Sequence, residues 1–115
     1  LIIEDSGLNG LQSELADLDT CSQKLGFVRW QWEYYRATYD IKFEDKTNNA
    51  DYFLRVNART VEGKLENPEA VLVLEDVYLG RATFPHGLDY GSPVPENIVQ
   101  SAKQKLAALK QLLLA

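Results

Sequence analysis

His86 is the only histidine in the chain. It stands in the stretch FPHGLDYG, three residues before Asp89 and four before Tyr90, with Ser92 just beyond. An imidazole titrates near neutral pH and a nearby carboxylate can hold one of its tautomers, so His86 is chemically competent as a general base. Ser92 completes a nominal Ser, His, Asp set. Within a few positions of one Gly- and Pro-rich loop, however, residue type alone does not supply triad geometry. The plainer reading is a rigid connector in which His86 and Asp89 bond backbone groups. No catalytic residue is assigned on this basis, and the chain reads as leaning away from an enzyme.

A second set lies between Phe27 and Val61, which holds both tryptophans, four of the six tyrosines and four of the five arginines. Arg29, Arg36, Arg55 and Arg59 stand among Glu33, Asp40, Glu44 and Glu62. Guanidinium forks suit carboxylate or phosphate ligands. The same mixture of signs also makes cross-strand ion pairs on a solvated sheet face. Trp30, Trp32, Tyr34, Tyr39 and Tyr52 are the aromatic counterpart. Aromatics of this kind are more often simply core, but they can also line a groove between the sheet and the last helix or meet a partner. Two tryptophans at i and i+2 are hard to bury entirely, so partial burial at an interface is expected, with self-association the preferred use. One His and one Cys do not make a usual zinc site, and the acidic pairs Glu44-Asp45 and Glu75-Asp76 lack the spacing of a calcium loop. The glycines match no nucleotide fingerprint, so neither metal nor cofactor is expected.

The elements that must position these residues follow from hydrophobic period. Leu1 to Glu4 reads as a first strand, closed by Asp5-Ser6-Gly7. Leu8, Leu11, Leu15, Leu18, Ser22 and Leu25 recur at three and four residues, which predicts a helix over 8–25, started by Ser6 or Asn9 and stopped at Gly26. Cys21 borders that stripe and reads as a packing thiol. From Phe27 the period becomes two. Val28, Trp30, Trp32 and Tyr34 share one face, and then the phase flips to Ala37, Tyr39, Ile41 and Phe43. Two strands with a turn near Tyr34 to Arg36 explain the flip, and a single bulged strand over 27–45 is the rival.

The Asn pair in KTNNA predicts a hairpin loop, and Asp51 to Val61 returns with Tyr52, Leu54, Val56 and Ala58 on one face and Arg55, Asn57 and Arg59 on the other. Ala70 to Leu74, apolar on both faces, predicts a central strand extending toward Leu79. Gly80 to Pro95 reads as a connector. Ile98, Val99, Ala102, Leu106, Leu109 and Leu113 mark a closing helix that Pro93 or Pro95 can start.

Strand, helix, a run of antiparallel strands, helix: residues 1–115 form one α+β domain in two layers, with four to five antiparallel strands and both helices on one face. The connectivity resembles that of the TATA-binding-protein fold, a likeness that carries no DNA-binding function. The balance of 17 acidic against 12 basic side chains, net −5, repels phosphate polymers, so nucleic acid is not an expected partner. A single cysteine fits a reducing, cytoplasmic setting, and no stretch approaches a membrane span. With no methionine anywhere, Leu1 is not read as the translated start.

GLNGLQSELADL, GFVR, the W-E-Y, ATYD and KFEDK segments, YFLRV, VEG at Val61 to Gly63, and FPHGLDYG together resemble the YugN-like family of small bacillus-type proteins. The resemblance spans the chain. It implies a cytoplasmic bacterial domain of unknown function and transfers no catalytic residue. The expected working form is a homodimeric interaction or regulatory module. The alternative is a small-ligand domain or minor enzyme using the aromatic sheet face or the His86 loop. Candidate binding or interface residues are Trp30, Trp32, Tyr34, Tyr39, Tyr52, Arg55, His86, Asp89 and Tyr90.

Overall fold

Gly26 marks the point where a helical period gives way to a period of two, and it stands at φ 93°, as a helix-ending glycine does. Its N–H bonds Gln23 and that of Phe27 bonds Ser22, which closes the helix in a Schellman turn. The computed structural model describes residues 1–31, 33–83 and 87–115. In chain order it contains β1 (Gln12–Glu14), α1 (Leu15–Lys24), β2 (Val28–Gln31), β3 (Arg36–Asp45), β4 (Ala50–Glu62), β5 (Val71–Thr83), β6 (Gly87–Asp89) and α2 (Glu96–Leu114). All pairings are antiparallel, in the order β1-β5-β4-β3-β2, with β6 also on β5. The result is an α+β fold: a curled antiparallel sheet and two helices.

The first helix is shorter than the sequence pattern predicts. Residues 10–14 instead run along β5, with Gly10 N bonding Leu74 O and Leu74 N bonding Leu11 O. Gly7 and Gly10 adopt positive φ, which a helix does not use. The first free N–H groups of α1, on Leu15 and Ala16, are met by the carbonyls of Ala70 and Pro68 rather than by Ser6 or Asn9. Leu8 is nonetheless fully buried, and Leu11 packs on the core from non-helical backbone. The predicted strand at Leu1 to Glu4 reduces to an isolated bridge, Ile2 to Tyr78, beside the bonds Ile3 N to Val77 O and Leu79 N to Leu1 O.

Residues 27–45 form two strands. Val28 pairs with Asp40 and Gln31 with Ala37 across a turn that needs no glycine, because four residues separate the strand ends. The β3–β4 loop uses the Asn pair differently. Asp45 accepts the N–H groups of Thr47 and Asn48, and Asn49 takes φ 50°. The expected connector at Gly80 is strand instead over its described residues 80–83 and 87–89: β5 runs to Thr83 and pairs antiparallel with β6. Gly80 belongs in it because the Tyr90 ring lies over its Cα, where a Cβ would stand 2.8 Å from Cδ1.

One hydrophobic cluster joins Leu15 and Leu18 of α1, Ala102, Leu106 and Leu109 of α2, and the inward residues of β3, β4 and β5, with Cys21 packed against it. Among the described residues, Ser22 Oγ is the buried side-chain oxygen without a hydrogen-bond partner, and Ser22 is fully buried. A buried hydroxyl left unpaired costs roughly 1–3 kcal/mol, and alanine is also the better helix former. Ser22→Ala is therefore expected to stabilise the fold by about 1 kcal/mol, within that range, measured as a higher midpoint in urea with an unchanged slope.

Candidate functional site

Asp19 on α1 receives two hydrogen bonds from the sheet, Tyr39 Oη at 2.7 Å and Arg29 Nη1 at 3.0 Å. Arg29 and Tyr39 are register partners on β2 and β3 and so share a face. That face is the inner one, since Tyr39 is 1% exposed. Val28 and Trp30 point the other way, at 58% and 49% exposure. The sequence reading has the phase slip but not its consequence: the apolar side of β2 faces outward.

The expected aromatic groove is therefore divided. Tyr39 and Tyr52 are core, Trp30 is exposed on the opposite side, and Tyr34 and Tyr35 are exposed just before β3. Trp32 and His86 lie outside the described residues. The exposed turn is well anchored, because Thr60 N bonds Tyr35 O, Leu65 N bonds Tyr34 O, and Lys64 Nζ stands 5.6 Å over the Tyr34 ring.

Across the outer face, Arg55 reaches Asp40 through Nε and Nη2, each at 2.9 Å, a bidentate pair in which Asp40 is nearly buried. Arg55 Nη1 also donates to Tyr90 Oη at 3.2 Å, and the Tyr90 and Tyr78 ring centroids lie 5.1 Å apart. Tyr90 is thus fixed by Arg55, Tyr78 and the bare Cα of Gly80. The signal for Tyr78 and Gly80 was absent from local pattern, since both become neighbours of Tyr90 only through the pairing of β5 with β6.

Asp89 is committed locally. Its Oδ2 accepts the Ser92 hydroxyl and its Oδ1 accepts Gly91 N at 2.9 Å. The Ser92 hydroxyl, followed by the Gly91 N–H, holds the Asp89 carboxyl below its usual range. A triad would place an imidazole between Ser92 and Asp89. Here the serine donates to the carboxylate directly. The remaining outer-face arginines, Arg36 and Arg59, contact Glu75 and, for Arg36, also Glu33. An open hollow of about 380 Å³ lies elsewhere, between residues 1–5 and α2 at Val99 and Lys103.

The model of the YugN-like family matches residues 4–111. The chain belongs to the YugN-like family. It is similar to the uncharacterised protein YlbA of Bacillus subtilis (strain 168), 34% identical over 112 residues that cover 95% of this chain and 92% of the relative. It is also similar to the crystal structure of the uncharacterised conserved protein YugN from Geobacillus kaustophilus HTA426, at TM-score 0.84 and 35% identity, covering 98% of this chain and 94% of that one. This is a family of uncharacterised proteins of unknown function. Among the described residues no helix is long and apolar enough to cross a membrane.

Burial first, and then the hydrogen bond to Asp19, push the Tyr39 hydroxyl above its ordinary value of 10.0. The neutral phenol is the folded form, so its stabilisation is complete below pH 10 and is lost as pH rises from there. The melting-temperature advantage of the wild type over Tyr39→Phe is expected to shrink as pH rises from about 10 to 11. A constant difference over that range counts against a buried, un-ionised Tyr39 phenol.

Proposed function

We propose that this chain is a non-catalytic interaction module that works in the cytoplasm as a homodimer. The observation that carries this reading is the run of half-exposed large side chains along the last strand of the sheet and the segment after it: Val28 and Trp30 on one face of β2, then Tyr34 and Tyr35 before β3. Clustered exposure of this kind marks interaction surfaces more often than scattered exposure does, and tryptophan and tyrosine are the side chains that most often anchor them. The turn that presents Tyr34 and Tyr35 is tied by backbone bonds to Thr60 and Leu65, so little ordering remains to oppose association. The direct Ser92 to Asp89 bond favours the structural over the catalytic use of that loop. The lone cysteine supports the cytoplasmic setting.

The finer architecture belongs to the same proposal. The strand order and the one core cluster support a TATA-binding-protein-like connectivity with both helices on one face. A second reading, a small-ligand domain, is favoured by the loosely paired arginines Arg36 and Arg59 on the outer face.

Light scattering of the eluting protein tests the dimer. The expected particle has twice the 13.0 kDa chain mass, and Trp30→Ala is expected to weaken association by roughly tenfold or more. A 13.0 kDa particle at micromolar concentration and above overturns the proposal.

A further inference from the structure

Arg36 and Arg59 stand directly opposite one another on β3 and β4, an arrangement in which like charges destabilise a sheet. Between them lies Glu75, 3.5 Å from Arg36 Nη1 and 3.5 Å from Arg59 Nε, while Glu33 is 3.4 Å from Arg36 Nε. These contacts are long. Charge-assisted N–H to carboxylate bonds close to about 2.7–2.9 Å, and Arg55 reaches 2.9 Å twice to Asp40 in the same sheet. Among the described residues, Arg59's guanidinium makes its ion contact to Glu75 and no side-chain hydrogen bond. One arginine of this face is therefore committed, and two are held side by side without a close partner.

Two further observations meet here. The β4–β5 register skips between Val56 and Ala58, so Glu75 and Asp76 form a bulge opposite Asn57, which aims Glu75 back at the arginine pair. Bulges commonly re-aim a side chain beside a functional site. Trp30 pairs with Thr38, two residues along β3 from Arg36, so the half-exposed indole lies diagonal to Arg36 on the same face. A monoanionic carboxylate already between the guanidinium groups leaves both contacts long. A dianion with oxygens on several sides matches two forks better, and a phosphate monoester is one near neutral pH.

We propose that Arg36 and Arg59 anchor a binding site for the phosphate monoester of an aromatic small molecule, with the phosphate displacing Glu75 from between the guanidinium groups and the ring lying against Trp30. This rests on the ligand-binding reading, and since both uses draw on the Trp30 indole it competes with a dimer formed through that residue.

Calorimetric titration of the full chain with phenyl phosphate tests it, with inorganic phosphate and benzoate as comparison probes. The expected dissociation constant is on the order of 1 mM or tighter. The two comparison probes are expected to bind roughly tenfold more weakly, as is phenyl phosphate to R36Q/R59Q. E75Q is expected to bind phenyl phosphate severalfold more tightly, since no carboxylate then competes, a gain that a purely structural Glu75 does not give. Absence of binding up to about 10 mM, equal affinity for inorganic phosphate, or affinity unchanged in R36Q/R59Q or lowered in E75Q overturns the proposal. Particle mass is measured on the same sample. A monomer that binds sinks the dimer and keeps this site, and a dimer that does not bind does the reverse.

Discussion

Asp19 is the residue on which the arrangement of the sheet's two faces depends. Its two oxygens tie one turn of α1 to β2 through Arg29 and to β3 through Tyr39. A strand's side chains alternate, so fixing Arg29 inward fixes Val28 and Trp30 outward. A slip of one residue between β2 and β3 would bury the indole and leave Asp19 without its guanidinium. The ion contact is partly exposed and individually modest. Its weight comes from position, because a single carboxylate selects between two registers that differ in every contact of the strand.

The outer face inherits its character from that choice. With Trp30 outward, the sheet presents aromatic side chains at β2 and its turn, and a polar centre along β3 and β4. Within this centre the arginines are used unequally. Arg55 neutralises the nearly buried Asp40 and fixes Tyr90, which is structural work. Removing it would leave a buried carboxylate unpaired, an event that costs several times what an exposed pair contributes. Arg36 and Arg59 have no such obligation, and their one shared carboxylate comes from a bulge rather than from the regular ladder.

Much of this was legible in the chain, and the failures share a cause. The inward set Tyr52, Leu54, Val56 and Ala58, the helix after Pro95, the stop at Gly26 and the hairpin at the Asn pair rest on local chemistry, and local chemistry decides them. The phase change after Tyr34 was equally visible. Alternation reports which residues share a face, but not which face meets the core, and that sign is set by Asp19, eight or more residues away. The predicted helix over 8–25 came out shorter, at Leu15–Lys24, for a related reason. Leu8 and Leu11 do seek the core at helical spacing, yet the edge of β5 offers backbone partners to residues 10–14 that an unanchored first turn lacks. Gly80 read as a loop residue because its reason for being small, the Tyr90 ring, arrives only when β6 folds back.

The register of β2 on β3 is therefore the quantity to measure, and cross-strand NMR contacts in isotope-labelled protein report it directly. The expected pattern links Trp30 with Thr38, Val28 with Asp40, and Arg29 with Tyr39. Contacts linking Trp30 with Tyr39, and an indole protected from solvent, would contradict the account of both faces.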